Sequence, residues 1–339
     1  MQRKSDEFYM KKCIELALLG KGQVSPNPMV GCVVLDKNGE IISTGYHKKY
    51  GEFHAERNAL INTDTAKTEE GTIFVNLEPC SHWGKTPPCT DIIIEKKIKK
   101  VVIGMQDVNP KIDGISVLKN AGIEVVTGVL ENECKFLNRV FIKNITENLP
   151  YVVLKTATTM DGKISTQNGD SKWITSEESR AEVYKMRKEF DCIMTSSNTV
   201  IADNPTMEHR FKCIADTNNK ISKDSKILSQ GKIYHATKYN TPLKDGHLDL
   251  RAVLTELYKQ GACSVLVECG GTMAGAMLKE GLIDEIYQFI APKILNDNTG
   301  KSCFNGDSVN QISQTTKLTI YDTQSVSDDL LVKSIVRKP

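Results

Sequence analysis

Four residues could carry chemistry together: His54, Glu56, Cys80 and Cys89. One imidazole and two thiolates form an established ligand set for a catalytic zinc, which leaves the fourth position to water. Such a zinc makes hydroxide available near neutral pH, and a carboxylate that is not a ligand is free to move the proton. His54-Ala55-Glu56 followed by Pro79-Cys80 also matches the pattern of zinc deaminases, in which the Glu is the general acid and base. The competing arrangement is a closed structural site in which His47 or His82 completes a two-Cys, two-His set. Structural sites space their thiols two to four residues apart. Here eight residues lie between Cys80 and Cys89, and a closed site leaves Glu56 without a task.

These residues need elements that aim them at one point. His54 and Glu56 are two apart and do not share a face of a regular helix, so a helix over about 54–61 must present them from its first turn. A strand over 72–77 leads to Pro79, where a second helix is expected to open and run, with an irregular centre, to about Lys97. A helix start beside Cys80 would favour its thiolate. Upstream, Ser5 caps a helix with Asp6 and Glu7 in its first turn. Strands over 29–35 and 41–46 are joined by the turn Asp36-Lys37-Asn38-Gly39, which brings Asn27 and His47 close together. Strands over 100–105 and 123–127, with a helix near 115–121, complete a layered α/β domain.

A chain of 339 residues exceeds what one hydrophobic core usually organises. Asn148-Leu149-Pro150 marks the junction expected between a first domain, 1–147, and a second, 148–339. A formal charge of +2 gives no bias toward nucleic acid or a membrane surface. The run Lys96-Lys97-Ile98-Lys99-Lys100 sits at a helix end, where the dipole favours cations, and has no interleaved aromatic platform. Charges break up the N-terminal stretch, so it does not read as a signal peptide, and no later run is long and apolar enough to span a bilayer. Ten cysteines without a compact framework point to reduced thiols and a cytoplasmic location. In the second half, strands are expected over 151–156, 190–195 and 264–267. Ser176 caps a helix reaching Lys188, and another helix covers about 250–260. Glu268-Cys269-Gly270-Gly271-Thr272 is a glycine-rich strand-to-helix turn able to offer N–H groups to a pyrophosphate, without the Rossmann spacing. The stretch between Phe211 and Leu250 is short and polar, with loop-like pieces at Thr217-Asn218-Asn219-Lys220 and Lys238-Tyr239-Asn240-Thr241-Pro242.

Residues 26–31 (PNPMVG), 54–56 (HAE) and 78–89 (EPCSHWGKTPPC) resemble the bifunctional pyrimidine deaminase/reductase of riboflavin biosynthesis. Residues 155–163 (KTATTMDGK), 169–175 (GDSKWIT), 199–210 (TVIADNPTMEHR) and 268–278 (ECGGTMAGAML) resemble its reductase half. The resemblance implies an α/β fold: an N-terminal cytidine-deaminase-like three-layer domain and a C-terminal dihydrofolate-reductase-like domain. It implies zinc and NADPH as cofactors. The reactions implied are deamination of 2,5-diamino-6-(ribosylamino)pyrimidin-4-one 5′-phosphate, then reduction of the ribosyl group to ribityl. Glu56 would be catalytic and His54, Cys80 and Cys89 would hold the metal; Asn27, His47, Lys85, Asp107 and Asn109 would contact the deaminase substrate. Cofactor contacts would come from Ala157, Trp173, Thr199, Asp203 and the run Gly270, Gly271, Thr272, Met273, Ala274, Gly275 and Ala276. Ser171, Arg187, Met207, Arg210 and Glu268 would contact the reductase substrate, with Arg187 and Arg210 as a phosphate clamp. Adenine and 2′-phosphate contacts in 211–250 stay unassigned. A homodimer is the family expectation, with no nucleic-acid or membrane partner.

Two alternatives remain at this stage. One is a zinc deaminase acting on a nucleic-acid base, with the C-terminal half as a recognition module; the long cysteine spacing and the near-neutral charge argue against it. The other is a non-catalytic, zinc-stabilised binding protein, in which Glu56 and the motifs around Ser171, Asp203 and Glu268 have no task.

Overall fold

Strand Thr72–Leu77 is mostly apolar and buried on both faces, as expected of a central strand covered by helices. In the computed structural model, which describes residues 4–307 and 309–337, it is the middle of a five-stranded sheet. The spatial order is Ile41–Tyr46, Gly31–Leu35, Thr72–Leu77, Lys100–Met105, Glu124–Thr127. The last three strands run parallel, and Gly31–Leu35 is antiparallel to both of its neighbours. Helix Asp6–Leu18, capped by the Ser5 hydroxyl, buries Met10, Cys13 and Ala17. Met10 and Cys13, with Val33, Phe74 and Ile103, belong to the core of this unit. The boundary with the second unit falls between Asn148 and Leu149.

Two local devices set the first site. A Cβ on Gly45 would lie 2.3 Å from the Ala55 carbonyl oxygen and 2.6 Å from the Ala59 nitrogen, so only glycine lets helix Ala55–Leu60 lie flat on the strand Ile41–Tyr46. The loop carrying Asn27 is held by two buried amides. Asn76 accepts from the Gly31 N–H at 2.7 Å and donates to the Met29 carbonyl, while Asn138 accepts from the Met29 N–H at 2.8 Å.

The expected helix from Pro79 to Lys97 is not formed as one element. Residues 79–88 are irregular, and the helix covers Cys89–Glu95 with Pro88 as its N-cap. Pro87-Pro88 explains the difference: two prolines remove successive N–H donors and hold the preceding backbone extended. The second helix start therefore lies at Cys89 rather than Cys80.

The second unit is built on an eight-stranded sheet in the order Lys232–Ala236, Phe211–Ala215, Cys192–Ser196, Ser264–Val267, Tyr151–Thr159, Glu285–Ala291, Asp329–Val336, Leu318–Val326. The first six strands are parallel and the last two antiparallel. The loops expected at 217–220 and 238–242 lie outside helices and strands, and around them the chain also forms the strands Phe211–Ala215 and Lys232–Ala236 and a short hairpin, Leu243–Lys244 with His247–Leu248. Lys212 masks the first strand in the sequence, since it is 1% exposed at a position where an apolar residue is the norm. Helix Glu177–Arg187 is capped by Ser176, and helix Leu250–Lys259 by Asp249. Among the described residues, no helix is long and apolar enough to cross a membrane.

Candidate functional site

His54 is the N-cap of helix Ala55–Leu60, in extended conformation, and its side chain makes no capping bond. The imidazole is thereby free to point across to the start of helix Cys89–Glu95. His54 Nδ1 lies 3.5 Å from Cys80 Sγ and 3.5 Å from Cys89 Sγ, and the three ligand atoms all lie within 4.8 Å of one another. Zn–S bonds of about 2.3 Å and a Zn–N bond of about 2.0 Å at tetrahedral angles imply an N···S separation of about 3.5 Å. The donor set fits that ion. The Cys89 N–H points at Cys80 Sγ at 3.3 Å. The Cys89 thiol and His54 hold the Cys80 thiol well below the usual thiol range, while the Cys80 sulfur and burial push Cys89 up.

Glu56, in the first turn of the same helix, is 3% exposed. Its Oε2 has no hydrogen-bond partner among the described residues. Burial and the neighbouring Cys80 charge raise its carboxyl above the usual range, with His54 opposing. A buried, unpartnered carboxylate oxygen is costly unless something else occupies its space and bonds to it. Here it faces a cavity of about 290 Å³ lined by Asn27, His47, His54, Glu56, Cys80, Lys85, Asp107 and Asn109.

Each rim residue has a definite support. His47 Nδ1 lies 3.0 Å from the Phe53 carbonyl and its Nε2 3.1 Å from Asn27 Nδ2. These partners assign a neutral ring with the proton on Nδ1, in keeping with burial lowering its basicity. Asp107 and Asn109 follow the C-terminal end of strand Lys100–Met105, where ligands of parallel sheets bind. Burial pushes Asp107 up to about 6 against the pull of the Asn109 amide. Sequence reasoning missed two residues here. Glu78 accepts from the Asp107 N–H at 3.1 Å and the Ile115 N–H at 3.0 Å, and its only sequence signal was its place in the quoted EPC motif. Tyr50 lines the same cavity and carries the Lys85 ammonium over its ring at 3.9 Å.

The second unit has its own cavity, about 790 Å³, beyond the C-terminal ends of strands Cys192–Ser196, Phe211–Ala215 and Ser264–Val267. Gly270, Thr272, Met273 and Ala276 line it. Gly270 is the N-cap of helix Gly271–Lys279 and has open space where a Cβ would be. Gly271 and Gly275 serve a different need: a Cβ on either would lie about 2 Å from the carbonyl oxygens of Ser302 and Asn305. With Ala274 they form the packed back of the turn. Thr199, in the first turn of a short helix, lies 3.1 Å from Ser196 Oγ, and Asp203 is the last residue of that helix. Trp173 is exposed with the Arg180 guanidinium 4.3 Å over its ring, and Ala157 sits on the strand Tyr151–Thr159. None of Ala157, Trp173, Thr199 and Asp203 is on the cavity wall.

The two arginines expected as a clamp are each engaged by a different carboxylate. Arg187 pairs with Glu268 through Nε–Oε1 at 2.6 Å and Nη2–Oε2 at 3.0 Å. Arg210 pairs with Asp191 at 2.8 Å and is largely exposed. Met207 is buried with φ at 43°, and Ser171 lies in the loop before Trp173. Lys155, missed in the sequence because it occupies an otherwise apolar strand, stands 3.8 Å from Glu268 Oε2. Burial lowers its basicity and Glu268 opposes that.

Comparison with known proteins covers both units. Residues 3–105 match the cytidine and deoxycytidylate deaminase zinc-binding region, and residues 150–332 match the RibD C-terminal domain. The riboflavin biosynthesis protein RibD of Actinobacillus pleuropneumoniae is 36% identical, over 99% of this chain and 96% of that protein. Its counterpart in Escherichia coli strain K12 is also 36% identical, over 88% and 90%. Among solved structures, Acinetobacter baumannii RibD superposes with a TM-score of 0.87 at 33% identity, covering 98% of this chain and 99% of the other. A Thermotoga maritima protein described as a diaminohydroxyphosphoribosylaminopyrimidine deaminase/5-amino-6-(5-phosphoribosylamino)uracil reductase gives 0.85 at 36% identity with the same coverage.

Proposed function

We propose the following residue roles for this chain, which belongs to the RibD family and is a bifunctional zinc-dependent deaminase and NADPH-dependent reductase of riboflavin biosynthesis. The substrate is 2,5-diamino-6-(ribosylamino)pyrimidin-4-one 5′-phosphate, and the product of the first site is the substrate of the second. The observation that carries the first site is the unpartnered Oε2 of Glu56 beside a His54 Nδ1 equidistant from two thiols.

His54, Cys80 and Cys89 hold the zinc, which when bound lowers the pKa of water so that a hydroxide nucleophile is available near neutrality. Glu56 takes the water's proton on Oε2 and gives it to the ring nitrogen as the hydroxyl adds to the amine-bearing carbon. It then takes that hydroxyl's proton and passes it to the amine, which leaves as ammonia as the C–N bond breaks and the carbonyl forms. Its burial supports this role, because a carboxyl raised toward neutrality both accepts and returns a proton readily. His47 fixes the Asn27 amide against the pyrimidine. Lys85, at the mouth, takes the 5′-phosphate, and Asp107 and Asn109 take the polar edge of the ring.

NADPH, held in the second unit, would supply the hydride for C1′ of the ribosyl group, the C1′–O4′ bond opening and O4′ taking up a proton. The open Gly270 and the first N–H groups of helix Gly271–Lys279, which have no intrahelical acceptor, bind the pyrophosphate. Thr272, Met273 and Ala276 line its path. Ala157, Trp173, Thr199 and Asp203, which lie off that cavity's wall, match the family's remaining cofactor-contacting positions. Glu268, held by Arg187 and Lys155, orients the sugar hydroxyls, while Ser171, Met207 and Arg210 hold the rest of the ribosyl phosphate. The ten free thiols support a cytoplasmic location, and a homodimer goes with the family.

The test supplies the diaminopyrimidinone phosphate with NADPH and follows ammonia and the NADPH absorbance together. Ammonia release followed by equimolar NADPH loss is expected. Ammonia without NADPH loss would remove the reductase half of the reading.

A further inference from the structure

The wall of the 790 Å³ cavity is formed by the glycine-rich turn and its helix together with residues of 215–251, the stretch with no residue matched to a ligand. Its lysines and arginine are Lys220, Lys244 and Arg251 from that stretch and Lys279 from helix Gly271–Lys279. Lys244 is neutralised by Glu280 at 3.1 Å and Lys279 by Asp307. Lys220 and Arg251 have no acidic partner among the described residues, and both are exposed to the cavity. The acids on this wall are already engaged. Asp216 accepts from the Lys220 and Ile221 N–H groups at 2.9 and 3.0 Å and pairs with His235 at 3.1 Å. Asp245 faces Lys279.

Both free cations are mounted on fixed backbone. Asp216 is fully buried, and its two amide bonds pin the turn that carries Lys220. Arg251 is held at the start of helix Leu250–Lys259, where Asp249 accepts its N–H at 3.0 Å. NADPH differs from NADH by one phosphate monoester on the adenosine ribose, carrying close to two negative charges at neutral pH. Two unneutralised cations lining the same cavity as the glycine-rich turn match that group in charge and number.

We propose that Lys220 and Arg251 bind the adenosine 2′-phosphate and set the preference for NADPH over NADH. This rests on reading the second unit as the dinucleotide-dependent reductase, and the test separates the two. Calorimetric titration of the full zinc-loaded chain with NADP⁺ and NAD⁺, and with 2′,5′-ADP and 5′-AMP, reads binding without turnover. The wild type is expected to prefer the 2′-phosphorylated member of each pair. Lys220→Ala and Arg251→Ala are each expected to weaken NADP⁺ and 2′,5′-ADP about tenfold, as loss of one charge-assisted contact would. NAD⁺ and 5′-AMP binding should stay unchanged, and Arg251→Lys should retain most of the preference. Parallel weakening within each pair, or no weakening, would overturn the assignment. So would a wild type that binds both members equally while still binding dinucleotide. A wild type that binds neither dinucleotide would instead overturn the reductase reading itself.

Discussion

The Arg187 guanidinium grips the Glu268 carboxylate with two parallel hydrogen bonds, at 2.6 and 3.0 Å, and the two side chains are only 14% and 10% exposed. This fork-on-fork geometry is the strongest form of a protein ion pair, and Lys155 adds a second positive charge 3.8 Å away. Burial by itself raises the Glu268 carboxyl, but Lys155 and Arg187 override it and hold the group below the ordinary glutamate range.

Removing Glu268 leaves two buried cations without their counter-ion. Glu268→Ala is predicted to destabilise the second unit by about 3 kcal/mol, as breaking a buried pair from one side does. Reductase turnover should be lost while ammonia release stays intact. Thermal unfolding of the variant, with both activities assayed on the same preparation, checks this.

The same pair gives a pH dependence of definite sign. A folded-state pKa below the unfolded value means that ionised Glu268 stabilises the fold fully above the ordinary glutamate range, and that this contribution is lost as pH falls through the depressed folded value. The difference in melting temperature between wild type and Glu268→Gln should be widest at neutral pH and should shrink below about pH 4. A gap that widens on acidification would contradict the ion-pair assignment.

At the first site, Tyr50 is predicted to position Lys85 rather than to touch the reacting atoms. The ammonium lies 3.9 Å from the ring centroid, and an exposed cation–π contact corresponds to about a two- to fivefold change in an equilibrium. Tyr50→Ala should raise the deaminase KM by about that factor with kcat unchanged, and Tyr50→Phe should not. Steady-state ammonia release at several substrate concentrations separates the two parameters.

Glu78 is predicted to act through the loop it holds. Its carboxylate accepts from the Asp107 and Ile115 amides, so Glu78→Gln replaces an acceptor with a donor facing an N–H group. The loop carrying Asp107 and Asn109 should loosen. The deaminase KM should rise about three- to tenfold, the scale of one lost hydrogen bond, while zinc content measured by emission spectroscopy stays at one per chain.

The metal cluster was legible in the sequence because ligand chemistry depends on residue type and order, and His54, Glu56, Cys80 and Cys89 carry both. The proximity of Asn27 and His47 followed from the hairpin turn between them, and the structure places them 3.1 Å apart. Where the reading went astray, long-range physics had taken over. Pro79 looked like a helix start, yet the pair Pro87-Pro88 delays the helix to Cys89. Lys212 hid a buried strand because nothing local announces a lysine folded into a core. Arg187 and Glu268, 81 positions apart, looked like separate ligand contacts until the sheet brought them together.

The most direct test of the first site is Glu56→Gln, which removes the proton carrier while leaving His54, Cys80 and Cys89 in place. The variant is expected to bind one zinc per chain, to release no ammonia from the diaminopyrimidinone phosphate, and to oxidise NADPH at the wild-type rate when given the deaminated intermediate. Undiminished ammonia release by a zinc-loaded Glu56→Gln protein would contradict the assignment of Glu56 as the general acid and base.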